Sequence, residues 1–149
     1  MLQDYLKLYK SLNRNRVRYL LIGGIACIVY GVPRTTLDID IFIESSLKNA
    51  ILLLKALKEA GFGTESLTTP EMVVKNEINI FEDYLRLDVF TSLKGLKFTG
   101  AWGRRCIKKI DGIKIKLASL EDILKSKKAY KRNFDKQDIR ILSQILRKN

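Results

Sequence analysis

The sequence predicts one α/β (α+β) domain: a mixed central β-sheet flanked by helices and closed by C-terminal helices. Three observations lead there. Stretches with apolar residues at helical spacing are interleaved with short runs that alternate apolar and polar residues. Their order is helix, strand, helix, strand, helix, then several strands, then two helices, which calls for a mixed sheet rather than a bundle or sandwich. At 149 residues, 46% hydrophobic and 30% charged, the chain has the length of one domain and enough apolar surface for a core.

Each element can be justified in turn. Leu2, Tyr5, Leu6, Leu8, Tyr9 and Leu12 predict an amphipathic helix over 2–14. VRYLLI (17–22) reads as a strand ending at Gly23-Gly24, and GIACIVYG as a helix stopped by Gly31 and Pro33. TLDIDIFIE (36–44) alternates and reads as a strand. Ser45 or Ser46 can cap the next helix, which runs to Gly61. EMVVKNEINIFE (71–82) and YLRLDVFTS (84–92) are β-rich and read as sheet neighbours; KFTGAWGRR gives no clear signal. Asp111-Gly112 between two alternating segments predicts a hairpin. Ser119 with Asp122 resembles a capping box opening a helix to about Lys131, and DKQDIRILSQILRK predicts a last helix. Residues 1–149 thus form one domain, with a sheet core in 1–90 and a basic hairpin plus helices in 91–149.

Composition narrows the function. The chain has no histidine, which removes Ser-His-Asp and Cys-His catalysis and histidine-bound zinc. The net charge of +12 is concentrated in 91–149, which hold 17 Lys and Arg against 5 Asp and Glu, while 1–90 hold 11 of each. That asymmetry points to a polyanionic partner such as nucleic acid. A lysine-rich thermophilic surface is the alternative, but it would carry matching glutamate, and this half has only Glu121. With no membrane-length apolar run and no signal-peptide pattern, a cytoplasmic location and no membrane association are expected. Cys27, in an apolar run, reads as a core residue.

The pattern that carries chemistry is Asp38-Ile39-Asp40. In a strand, Leu37, Ile39, Ile41 and Ile43 point into a core, and Asp38, Asp40, Phe42 and Glu44 point the other way. The two carboxylates then stand about 6–7 Å apart on one face. They repel unless they reach water or a cation, and hard oxygen ligands at that spacing suit Mg²⁺ or Mn²⁺. An acidic solvent-facing strand is the plainer alternative, although aspartate is disfavoured in strands. Asp88 is a third acid in an apolar strand, sharing its face with Tyr84, Arg86 and Phe90. If the two strands are neighbours, three aspartates converge, enough for two ions and for proton transfer from an attacking group. Gly23-Gly24 between strand and helix lets backbone N–H groups approach a phosphate, although tight turns also use glycine for sterics alone.

The stretch GGIA…PRTTLDIDIFIE…LRLDVF resembles the nucleotidyltransferase superfamily that includes DNA polymerase beta. Its Arg-x-Thr-x-Asp-Ile-Asp form (Arg34, Thr36, Asp38, Asp40) is similar to that of the AbiEii-type toxin nucleotidyltransferases and their small relatives. So is SLEDILKSKKAYKRNFDKQDIRIL, at Lys127, Arg132, Asp135 and Asp138, with Phe134 where that group has lysine. The resemblance spans about residues 17–146. It implies a nucleotidyltransferase fold and Mg²⁺- or Mn²⁺-dependent transfer of a nucleoside monophosphate from an NTP to an acceptor hydroxyl. It further implies that Asp38, Asp40 and Asp88 are catalytic and metal-ligating, and that Gly23, Gly24, Arg34, Thr36, Lys127 and Asp135 bind the nucleotide. The acceptor expected from the basic 91–149 region is RNA, such as a tRNA 3′ end; a protein partner and a toxin–antitoxin role also fit the resemblance. Tyr30, Phe42 or Tyr84 could stack a base, or be core, and Trp102 with Arg104 and Arg105 could touch nucleic acid. The rival reading is a non-catalytic module that binds nucleic acid or a partner protein.

Overall fold

A computed structural model of the chain describes residues 2–148. Six strands form one mixed sheet in the order β3-β4-β2-β1-β6-β5. They are β1 (Tyr19–Ile22), β2 (Ile39–Ile43), β3 (Ile78–Glu82), β4 (Arg86–Phe90), β5 (Cys106–Ile110) and β6 (Ile113–Leu117). Around them lie α1 (Leu2–Arg14), α2 (Gly23–Tyr30), α3 (Leu47–Glu59), α4 (Pro70–Lys75), α5 (Phe98–Gly103), α6 (Leu120–Tyr130) and α7 (Lys136–Lys148). Asp111 and Gly112 both take positive φ, as a two-residue type I′ hairpin between β5 and β6 requires.

Alternation in β2 sorts the two sheet faces. Ile39, Ile41 and Ile43 are fully buried on one face with Tyr19 and Leu21 of β1 and Leu87 and Val89 of β4. Helix α1 covers this face, where Tyr9 stacks on Tyr19. Helix α3 runs beside α1, tied by the Ser11 hydroxyl donating to Ala56 O at 2.7 Å. Buried Asn49 of α3 fastens the sheet from above: it accepts from Arg18 N and donates to Arg18 O and Glu44 O. The opposite face carries Asp40 and Asp88 and is covered by α5 and α6 around an open cleft. Among the described residues no helix is long and apolar enough to cross a membrane, and Cys27 and Cys106 are free thiols.

The structure departs from the sequence-based reading, or completes it where that reading was open, at five places. Residues 70–75 are helical, not strand: Thr69 caps Met72 N, and Pro70 sits at the first helical position where its missing N–H costs nothing. KFTGAWG forms the short helix α5, and β2 starts at Ile39, so Leu37 is 65% exposed rather than core. Phe42, on the aspartate face, is buried because Phe98 of α5 meets it edge-on at 5.3 Å. Ser119 does cap α6 by accepting from Asp122 N, but the reciprocal half of the box is missing: the Asp122 carboxylate takes Arg104 Nε instead.

Candidate active site

The three predicted aspartates come together. Strand β2 pairs in parallel with β4 in a register that sets Asp40 opposite Asp88, and antiparallel with β1, where Asp40 faces Ile22. Partners in register share a face about 4.8 Å apart, so Asp40 and Asp88 are side by side. Asp38 precedes the strand and is half-exposed, in a segment held by the Tyr5 hydroxyl donating to Leu37 O. Arg86 joins them without having been assigned a role from the sequence, although its place two residues before Asp88 puts both on one face. Its Nε donates to Asp88 Oδ1 at 3.0 Å and lies 4.0 Å from Asp38 Oδ2. Asp40 has no such partner. Burial, and then the charges of Asp88 and Asp38, push its carboxyl up to about 6.

This shift has a testable sign. Unfolded aspartate titrates near 4, so between about pH 4 and 6 the folded chain binds more protons than the unfolded one, and stability falls as pH rises through that window. In urea titrations with a chelator present, wild type should gain stability relative to Asp40→Asn on going from pH 7 to pH 5. Parallel pH profiles for the two would show that Asp40 carries no strained charge.

The glycine turn lies against the same carboxylate. Gly23 has φ +71°, and a Cβ there would collide with Asp40 Oδ2, so this position excludes other residues on both counts. Helix α2 begins at Gly23 with no side-chain cap and no acid in its first turn, leaving its first N–H groups open to the cleft. Thr36 packs on Gly24: a Cβ added there would come 3.0 Å from Thr36 Cγ2 and 3.4 Å from Arg34 Cζ. Thr36 and Arg34 therefore frame the turn.

Lys127 lines the cleft, whereas Asp135 is buried outside it as the lysine's partner. Lys127 Nζ lies 3.1 Å from Asp135 Oδ1 and 3.3 Å from Asp138 Oδ2. Arg132 closes on Asp135 at 2.6 Å and Arg34 on Asp138 at 2.5 Å. Both acids and the lysine are buried. The five charges join the segment before β2 to α6 and α7.

The cleft itself is a cavity of about 240 Å³. Gly23, Asp40 and Lys127 line its polar end, and Phe90, Leu93, Leu96, Ile123 and Tyr130 its apolar end. The predicted base-stacking residues lie elsewhere. Tyr30 donates to Ala118 O, Tyr84 packs on Phe62 and donates to Ala60 O, and Phe42 is core. The cleft aromatics are Phe90 and Tyr130, which sequence spacing could not single out because α6 meets β4 only through the tertiary fold. Just before the hairpin, Arg105 lies over the Trp102 ring of α5 at 4.1 Å, with Lys116 of β6 at 5.5 Å. Lys108, Lys109 and Lys114 are exposed, while Arg104 is committed to Asp122.

Asp38, Asp40 and Asp88 are hard carboxylates of the kind a divalent cation takes, two of them in register, with the pKa of Asp40 raised by burial and then by its neighbours' charge. Arg86 now supplies the positive charge, and among the described residues no three acidic or thiol side chains are gathered tightly enough to share an ion as they stand.

Solved structures share this mixed-sheet fold. One is a Thermotoga maritima protein provisionally assigned as a nucleotidyltransferase: 17% identity, TM-score 0.58, 99% of this chain and 93% of that one covered. Another is an antigenic nucleotidyltransferase-like protein from Paracoccidioides brasiliensis: 20% identity, TM-score 0.58, 97% and 76% covered. At these identities the likeness concerns the fold. The chain belongs to a family described as nucleotidyl transferase of unknown function, whose model matches residues 1–149. That membership places it in the nucleotidyltransferase superfamily without singling out the AbiEii-type toxins. No curated protein matches the chain.

Proposed function

We propose that the protein transfers a nucleoside monophosphate from an NTP to an acceptor hydroxyl with the help of Mg²⁺ or Mn²⁺. The observation that carries this reading is the register of Asp40 with Asp88, which sets two carboxylates side by side, with Asp40 against an uncapped glycine turn. Asp38, Asp40 and Asp88 would hold the metal, which supplies charge stabilisation at the phosphates when bound. The open N–H groups at Gly23 and Gly24 receive phosphate oxygens, with Arg34 and Lys127 adding positive charge at the cleft edge. Asp88, on the strand beyond β2, takes the acceptor's proton. The acceptor oxygen bonds to the α-phosphorus as the bond to pyrophosphate breaks.

The base occupies the apolar end of the cleft. Stacking on an aromatic is worth roughly 1–3 kcal/mol, so Phe90→Ala or Tyr130→Ala should raise the KM for the nucleotide roughly ten-fold with little change in kcat. An unchanged KM in steady-state kinetics would place the base elsewhere. For the acceptor we favour RNA, because Lys108, Lys109 and Lys114 are exposed on the hairpin and Arg105 lies over Trp102 just before it. The testing experiment incubates the chain with Mg²⁺, total RNA and NTPs labelled at the α- or the γ-phosphate. Label from the α position should enter RNA and label from γ should not. Binding of RNA without transfer of either label would favour the non-catalytic module.

A further inference from the structure

We infer that Arg86 is a resident counter-cation of the aspartate cluster, holding Asp88 and Asp38 until a divalent ion displaces it. The inference rests on the proposed metal reading of these acids and adds a regulated step to it. The guanidinium is placed for the role. Its Nε is 3.0 Å from Asp88 Oδ1, Nη2 is 3.5 Å from Asp88 Oδ2, and Nε is 4.0 Å from Asp38 Oδ2. It therefore bridges two of the three carboxylates.

Three features make this a replaceable contact rather than a structural lock. The Arg86 side chain is 39% exposed, so packing does not hold it. It engages only part of the cluster: it bonds Asp88 and approaches Asp38, and Asp40 gains no bond from it. The guanidinium also has somewhere to go, because Glu82 is its register partner on β3, on the same face and exposed. A single positive charge spread over a planar fork offsets three carboxylates incompletely. A compact divalent ion offers twice the charge and can take oxygens from all three. Without Arg86 the empty cluster would repel itself; with it, the metal must compete.

The test is a Mn²⁺ titration of the full chain, following free Mn²⁺ by electron paramagnetic resonance, together with thermal melts with and without Mn²⁺. The proteins are wild type, Arg86→Gln, Arg86→Lys and Asp40→Asn. Arg86→Gln should bind Mn²⁺ roughly ten-fold tighter than wild type. It should also melt lower than wild type without metal and be raised further by Mn²⁺, a combination that a purely structural arginine would not give. Arg86→Lys, which keeps the charge but loses the fork, should fall between, and it carries the comparison if Arg86→Gln does not fold metal-free. Binding by the variants no tighter than wild type overturns the inference while leaving the metal site standing. Equal Mn²⁺ binding by wild type and Asp40→Asn overturns both the inference and the metal reading beneath it.

Discussion

Asp40→Asn is expected to lower nucleotidyl transfer roughly 10³-fold while raising the stability of the metal-free fold. The two effects have one origin. Asp40 is half-buried beside Asp88 and Asp38, its charge is unfavourable in the folded chain, and only a bound cation makes it useful. Asparagine keeps the shape and removes the charge, so it relieves the repulsion and forfeits the ligand together. A variant that lost activity because its fold was damaged would show the opposite stability change. The measurements are label transfer from an α-labelled NTP and urea denaturation with chelator, run on the same preparation. Loss of stability together with activity would show that Asp40 serves the fold.

Lys127→Met should be the most destabilising single change around the site, by about 3 kcal/mol. Lys127 is the central cation of the buried network, touching both Asp135 and Asp138. Removing it leaves two carboxylates in the interior, each with one arginine. Helix α7 depends on this contact, since its fully buried residues are Asp138 and Leu142. Two-state urea unfolding of wild type, Lys127→Met, Asp135→Asn and the double variant gives the coupling energy directly. The double variant should recover part of the loss, because no lone charge remains at Asp135. Additive losses would mean that the lysine and Asp135 act independently.

Much of this site is legible in the chain because it is written in local periodicity. Alternation through 36–44 and 84–92 alone puts Asp38, Asp40 and Asp88 off the core face, and the parallel register of β2 with β4 brings Asp40 and Asp88 level. The glycine pair is legible for the same reason: the chain must turn tightly from strand to helix there, and the positive φ of Gly23 shows that it does. What escapes is set by tertiary contacts. By alternation Phe42 is available for stacking, yet Phe98 covers it, and nothing local in KFTGAWG announces the helix that carries Phe98. Val73 and Val74 give 71–75 a β-rich look, but the Thr69 cap and Pro70 decide for helix. By its residues alone Lys127 reads as part of a solvated helix face, and only the resemblance makes it a charge for phosphates; its two acids lie on later elements, and the packing of α7 on α6 reveals the pairing. Arg86 is visible on the right face, yet its partner is the very acid assigned to metal.

The most direct measurement of the central claim is a crystal soaked with Mn²⁺ and a non-hydrolysable NTP, with data collected at the manganese edge. An anomalous peak is expected among Asp38, Asp40 and Asp88, with phosphates on the Gly23-Gly24 turn and the base beside Phe90 and Tyr130. A nucleotide bound elsewhere, with no anomalous peak among the three aspartates, would contradict it.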